Sequence, residues 1–128
     1  MDMSILNSTK KMLGIDPNDD SFDLDIITHI NSAFSILQQL GLGSFLIQDE
    51  SAEWGELFPD LPDQEWLINL VRTTIYLRVR MLFDPPASSY LQAAFQKQID
   101  EHEWRLSVWR EETQWVDPNP PPIPEEVW

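Results

Sequence analysis

Two adjacent prolines, in the stretch Phe83-Asp84-Pro85-Pro86, constrain this 128-residue chain more than any other feature. Proline lacks the backbone donor that a helix interior requires, and it pushes the preceding residue toward extended geometry. Helical apolar patterns lie on both sides of the prolines, over residues 67–83 and 88–115. One helix must therefore end at the prolines and another must begin after them. The sequence predicts an antiparallel helical hairpin between residues 63 and 115.

The second arm of this hairpin carries apolar residues on two sides. Its main stripe repeats every three or four residues, as in a hydrophobic seam, and consists of Leu91, Phe95, Ile99, His102, Leu106 and Trp109. A second stripe lies roughly opposite at 3.6 residues per turn and consists of Tyr90, Trp104, Val108 and Trp115. One hairpin partner cannot cover both sides, so the second arm is predicted to present a docking surface.

Aromatic residues and arginine dominate the energetics of protein interfaces. The predicted partner-binding residues are therefore Trp104, Arg105, Val108, Trp109, Arg110 and Trp115, with Ile123 and Trp128 as anchors in the segment that follows. The alternative is that Trp104 and Trp115 pack on the N-terminal helix of the same subunit.

Two further helices are predicted before the hairpin. Residues 1–13 form a short amphipathic helix, capped by Ser4 and stopped by Gly14. Residues 21–40 form a longer helix, for which Asp20 or Ser21 can act as the N-cap. The apolar face of this helix is Phe22, Ile26, Ile30, Ala33, Leu37 and Leu40. The segment 45–54 is compatible with a short β-hairpin.

The predicted fold class is all-α: a small bundle of about four helices with a long C-terminal helical hairpin. The core is expected to join Ile26, Ile30, Phe34 and Leu37 to Leu67, Val71, Ile75, Leu91, Phe95 and Ile99. This helical domain is predicted to span residues 1–115. Residues 116–128 contain five prolines in thirteen residues, which favours an extended polyproline II tail.

The net charge of −14 and the absence of cysteine exclude several classes of protein. Binding to a nucleic-acid backbone requires Lys and Arg, whereas this chain would repel phosphates. Without cysteine there is no disulfide framework, no thiolate metal site and no cysteine nucleophile. No apolar run approaches the roughly 18 residues of a membrane span, so we expect a soluble, unexported protein.

The acidic turn before residue 21 resembles part of a calcium-binding loop. Asp16, Asn18 and Asp20 match the first three ligand positions of an EF-hand, but Ser21 replaces the required glycine and Ile27 replaces the bidentate glutamate. Helix capping by the acidic residues is the favoured interpretation. The sequence therefore predicts no metal and no cofactor.

Enzymatic function is also not expected. His102-Glu103-Trp104-Arg105-Leu106 begins like a zinc-protease helix, but Leu106 stands where the second histidine is required. His29, the other histidine, is expected to be a hydrogen-bonded core residue.

Arg78 lies within the apolar arc of the first arm, where snorkelling to the edge is favoured over pairing with a buried carboxylate.

Several segments together resemble the head-tail connector proteins of tailed phages and prophages. They are Leu13-Gly14-Ile15-Asp16, residues 22–31, Gln39-Leu40-Gly41-Leu42-Gly43, Phe83-Asp84-Pro85-Pro86-Ala87-Ser88 and Glu103-Trp104-Arg105-Leu106. The resemblance covers about residues 4–108. These segments are structural signatures and carry no catalytic residues.

The resemblance implies a structural virion protein, present in the host cytoplasm during assembly. Such adaptors are small helical bundles that form a dodecameric ring beneath the portal protein, extend the DNA channel and provide the platform for head closure and tail attachment. DNA would pass through an acidic lumen without specific binding. The competing hypothesis is a monomeric acidic protein or DNA mimic that blocks a basic site, but its carboxylates should then lie on one exposed face.

Overall fold

The computed structural model describes residues 4–58 and 65–114, with side chains described up to Glu111. The α-helices in this part of the chain are α1 (Ile5–Met12), α2 (Asp23–Gln39), α3 (Glu65–Phe83) and α4 (Ser89–Gln114). A short 3₁₀ turn, Trp54–Glu56, lies in the linker between α2 and α3. Within the described residues the helices pack together and no strand forms, which confirms the all-α prediction.

The proline corner separates α3 from α4 as predicted. The Asp84 N–H donates to the Arg80 carbonyl and closes the last turn of α3. Ser88 caps α4, because its Oγ accepts the Leu91 N–H at 3.4 Å. The Gln92 side-chain amide donates to the Pro86 carbonyl at 2.7 Å and so links the first turn of α4 to the corner.

Helix α1 is held at its start by the α2–α3 linker. The Ser4 Oγ accepts the Asn7 N–H at 3.2 Å, which confirms Ser4 as the cap. The same hydroxyl donates to the Glu50 carbonyl at 2.8 Å, and the Ile5 N–H donates to the Ala52 carbonyl at 3.0 Å. The start of α1 is therefore bonded to a segment about 46 residues later in the chain.

The predicted N-cap of α2 is wrong. The helix begins at Asp23 with Phe22 at the cap position and no capping side chain. The acidic residues hold the preceding turn instead: Asp16 accepts the Asn18 N–H at 2.9 Å, and Asp19 accepts the Ser21 N–H at 3.0 Å. Local side-chain hydrogen bonds of this kind compete with helix capping for the same residues.

The predicted β-hairpin over residues 45–54 is also wrong. Asn31 on α2 forms hydrogen bonds with both backbone groups of Ile47. Its Oδ1 accepts the Ile47 N–H at 2.8 Å, and its Nδ2 donates to the Ile47 carbonyl at 3.0 Å. Farther along, the chain forms a single isolated bridge between Ser4 and Glu53 and then the 3₁₀ turn. The backbone groups that a hairpin needs are therefore already paired elsewhere.

The core joins α1, α2, α3 and α4 around the linker residue Trp54. The Trp54 side chain is fully buried, and its ring centroid lies 6.5 Å from that of Phe34 on α2 and 5.8 Å from that of Tyr76 on α3. Its Nε1–H donates to the Ser8 Oγ of α1 at 2.9 Å. The remaining buried apolar residues of this cluster are Ile5, Leu6, Ile26, Ile30, Ala33, Phe34, Leu37, Ile47, Leu67, Val71, Ile75, Val79 and Leu106.

The predicted core is correct on α2 and α3 but not throughout α4. Ile99 is buried as expected, whereas Leu91 is exposed. Phe95 is partly buried, with the Arg80 guanidinium 5.3 Å from its ring centroid. Leu91 and Phe95 follow the corner closely, so α4 reaches the common core only farther along its length.

Replacement of Ile30 or Ile75 by alanine is expected to lower the free energy of unfolding by about 2–5 kcal/mol, because each leaves a cavity among buried neighbours. Leu91→Ala is the matched control, and its exposed side chain predicts a change within about 0.5 kcal/mol. Urea unfolding of the three variants measures these differences. Equal losses at positions 30 and 91 would contradict the burial described above.

Candidate interaction surface

Helix α4 has an inner side that faces the bundle and an outer side that no other described element covers. Ile99 and Leu106 are buried on the inner side. On the opposite side, Tyr90 is 80% exposed and Trp104 is 65% exposed. Val108 shares this side and is half-buried. We call Tyr90, Trp104 and Val108 the outer apolar stripe.

The end of α4 that lies beside the start of α3 is fixed by aromatic packing. The Trp109 ring centroid lies 6.3 Å from that of Phe58 and 6.4 Å from that of Trp66, both in edge-on geometry. The Arg110 Nε donates to the Gly41 carbonyl. Gly41 has a φ of +93°, and a Cβ there would lie 3.0 Å from the Arg110 Nε, so glycine is required for this approach.

The structure therefore divides the predicted docking residues into two groups. Trp104 and Arg105 are exposed on α4, whereas Trp109 and Arg110 are engaged with the rest of the chain. Trp115, Ile123 and Trp128 lie outside the described residues. The alternative in which Trp104 packs on α1 is not observed, because its side chain is largely exposed.

A second exposed apolar area lies at the corner end of the bundle. Phe22, Leu82 and Leu91 are all exposed there to about half of their surface. Phe83 connects the area to α2, with its ring centroid 5.5 Å from that of Phe22 and 6.5 Å from that of His29. We call Phe22, Leu82 and Leu91 the corner patch. The sequence did not indicate it, because Phe22 and Leu91 both match the apolar faces of their helices.

A groove of about 450 Å³ runs between α3 and α4. Its lining residues are Trp66, Asn69, Leu70, Thr73, His102 and Arg105. Arg105 is mostly exposed and pairs with Glu101 one turn earlier at 2.9 Å. The sequence could not reveal this groove, because it depends on the distance between two helices.

Arg78 forms the most enclosed ion pair that connects α3 and α4 in the described chain. Its guanidinium binds the Glu103 carboxylate through two hydrogen bonds, one of them from Nη2 to Oε1 at 2.7 Å and the other from Nε. The two side chains are only 22% and 15% exposed. The prediction that Arg78 snorkels to the edge is therefore wrong, and pairing with a partly buried carboxylate is the observed arrangement.

The exposed turns keep their carboxylates charged. Hydrogen bonds from the Ser21 side chain and backbone lower the pKa of Asp19, and those from Ser51 lower the pKa of Asp49 in the same way. A lowered pKa means that these bonds stabilise the turns above the ordinary carboxyl range and are lost as the pH falls through the lowered values. Among the described residues no three His, Asp or Glu side chains form a group that could hold a metal ion.

Comparison with known protein families identifies the family to which the chain belongs. The model of the family described as phage connector protein matches residues 5–113, a range that begins with α1 and ends within the last turn of α4. The chain belongs to the phage connector protein family. This is a family of structural proteins.

The family match confirms the resemblance to connector proteins and extends its C-terminal end from about residue 108 to residue 113. No curated protein and no solved structure gives a significant match to this connector. None of the helices in the described ranges is long and apolar enough to cross a membrane. The surfaces of this connector must therefore be interpreted from its own residues.

The Arg78–Glu103 pair predicts a measurable coupling between α3 and α4. In a double-mutant cycle with Arg78→Met and Glu103→Gln, we expect a coupling free energy of about 1–3 kcal/mol, because removal of one partner leaves a poorly solvated charge. The matched control is the exposed Arg105–Glu101 pair, with side chains 58% and 52% exposed, for which about 0.3–0.5 kcal/mol is expected. Equal coupling in the two cycles would contradict the enclosure of Arg78.

Proposed function

We propose that this connector is the head-tail adaptor that assembles as a dodecameric ring beneath the portal protein. In this role it extends the DNA channel and provides the platform on which a head-closure or tail protein attaches. The observation that carries the proposal is the family match over residues 5–113, which includes almost every described residue. The protein would act in the virion, after assembly in the host cytoplasm.

The distribution of exposed apolar residues supports assembly with neighbours. A subunit of a closed ring needs two different contact surfaces, one for each neighbour, because head-to-tail interfaces are heterologous. We assign the corner patch to one of these ring contacts and the outer apolar stripe to the portal, since both surfaces are exposed. The exposed aromatic side chains of Tyr90 and Trp104 are of the type that dominates interface energies.

Charge supports the passage of DNA without binding. With a net charge of −14, a ring of this chain carries a strongly negative potential. Exposed carboxylates such as Asp19, Asp49 and Asp100 lie on separate parts of the described surface. Their dispersal also disfavours the DNA-mimic hypothesis, which requires carboxylates at phosphate-like spacing on one face.

The docking residues on α4 are proposed to act in two ways. Trp104, Arg105 and Val108 contact the portal directly, since they lie on the exposed part of the helix. Trp109 and Arg110 fix the end of α4 through Trp66 and Gly41, and so position the contact residues. Trp115, Ile123 and Trp128 are proposed as additional anchors when the tail engages the assembly.

Trp104→Ala is expected to weaken association with the portal by about 2 kcal/mol, or roughly 30-fold in Kd, because a largely exposed tryptophan becomes buried only in the complex. The circular dichroism spectrum of the free subunit should not change. Leu24→Ala is the matched control, since Leu24 is exposed on α2 and outside both proposed surfaces. Unchanged affinity of the Trp104 variant would place the docking surface elsewhere.

A further inference from the structure

The groove between α3 and α4 has the chemistry of a site for an extended peptide. The Trp66 ring, half exposed, stands at the end of the groove where Trp109 packs against it. Leu70 lies on the α3 side and Arg105 provides an exposed guanidinium on the α4 side. Grooves lined by aromatic residues bind proline-rich segments, whose polyproline II conformation loses little entropy on binding.

His102 provides a polar feature within the same groove. It lines the groove three residues before Arg105. An imidazole can donate or accept a hydrogen bond, so the part of the ring that borders the groove can bind the backbone of a docked segment.

The chain itself contains a segment that matches these features. Residues 121–128 read Pro-Pro-Ile-Pro-Glu-Glu-Val-Trp, so prolines and apolar side chains flank two carboxylates. The carboxylates complement Arg105, which is one of only eight Lys and Arg residues in the chain. The six residues from Trp115 to Pro120 connect this segment to the end of α4. A reversal of direction within them would bring residues 121–128 back along α4.

The lengths agree with this reversal. From Gln114 back to Arg105, α4 covers about 14 Å, and from Gln114 back to His102 about 18 Å, at 1.5 Å per residue. A polyproline II segment covers about 16 Å from Pro120 to Glu125 and about 25 Å from Pro120 to Trp128, at 3.1 Å per residue. The first prolines would then lie beside Trp66, and Glu125 would reach Arg105.

We propose that residues 121–128 of the connector fold back and dock in the groove between α3 and α4 of their own subunit. The prolines stack on Trp66, and the carboxylates of Glu125 and Glu126 pair with Arg105. This contact belongs to the free subunit. Tail and groove separate when the tail engages the assembly.

The absence of cysteine allows a single spin label to be placed in the full-length chain. In a Val127→Cys variant that carries a nitroxide, the amide NMR signals of Asn69, Thr73 and His102 should lose most of their intensity. The signals of Ser35 and Gln38, which are exposed on α2, should keep theirs. Loss of intensity at α2 instead of the groove, or no loss at all, would overturn the proposal.

Two substitutions test the groove directly. Arg105→Glu and, separately, Trp66→Ala should restore the intensities of Asn69 and Thr73 in the labelled chain. Lys97→Glu is the matched control, because it makes the same change of charge on an exposed position of α4 that does not line the groove. The proposal is wrong if the Lys97 variant restores the signals as fully as the Arg105 variant.

A mixing experiment distinguishes the subunit's own tail from that of a second copy. Isotope-labelled chain without the nitroxide is mixed with an equal amount of unlabelled chain that carries it. Docking within one subunit predicts full intensity for Asn69 and Thr73 in the mixture. Loss of these signals in the mixture would instead show exchange of tails between copies, which contradicts the fold-back.

Discussion

The burial of Trp54 is the interaction on which the rest of the described structure depends. Trp54 lies in the 3₁₀ turn of the linker, and its side chain contacts Phe34 on α2 and Tyr76 on α3 and donates a hydrogen bond to Ser8 on α1. The short α1 would be marginal alone, since helices of this length are unstable in water. The position of α1 is set by the hydrogen bond from Trp54 to Ser8 and by the linker backbone, which pairs with Ser4 and Ile5.

This arrangement leaves α4 at the edge of the bundle. The helix is attached to α3 by Leu106, by the Arg78–Glu103 pair and by the packing of Trp109 on Trp66. Its other side faces away from the core and presents Tyr90 and Trp104. A helix that is fixed along one side and apolar on the other is suited to a protein whose function is to join neighbours.

The sequence predicted the elements whose signals are local and missed those that depend on distant partners. The prolines at 85 and 86 located the corner, and Ser4 was correctly identified as the cap of α1, because both effects act within a few residues. The prediction of a hairpin in the linker failed because Asn31, 16 residues away, binds the backbone of Ile47. Likewise, the pairing of Arg78 could not be predicted, because its partner Glu103 lies on a different helix.

The candidate surface, too, was predictable only where the signal is local to one helix. The spacing of Tyr90, Trp104 and Val108 placed them on one side of a helix, and the structure leaves Tyr90 and Trp104 exposed there. The contacts of Trp109 and Arg110 could not be foreseen, because they involve Trp66 and the carbonyl of Gly41. Periodicity assigns a residue to a side of its helix, but the neighbouring elements decide whether that side is covered.

The most direct test of the connector role is native mass measurement of the full-length chain with and without its portal protein. A ring adaptor predicts a single assembly in which the number of connector chains equals the number of portal chains. A chain that remains monomeric in the presence of the assembled portal, with no bound species at any ratio, would contradict the account.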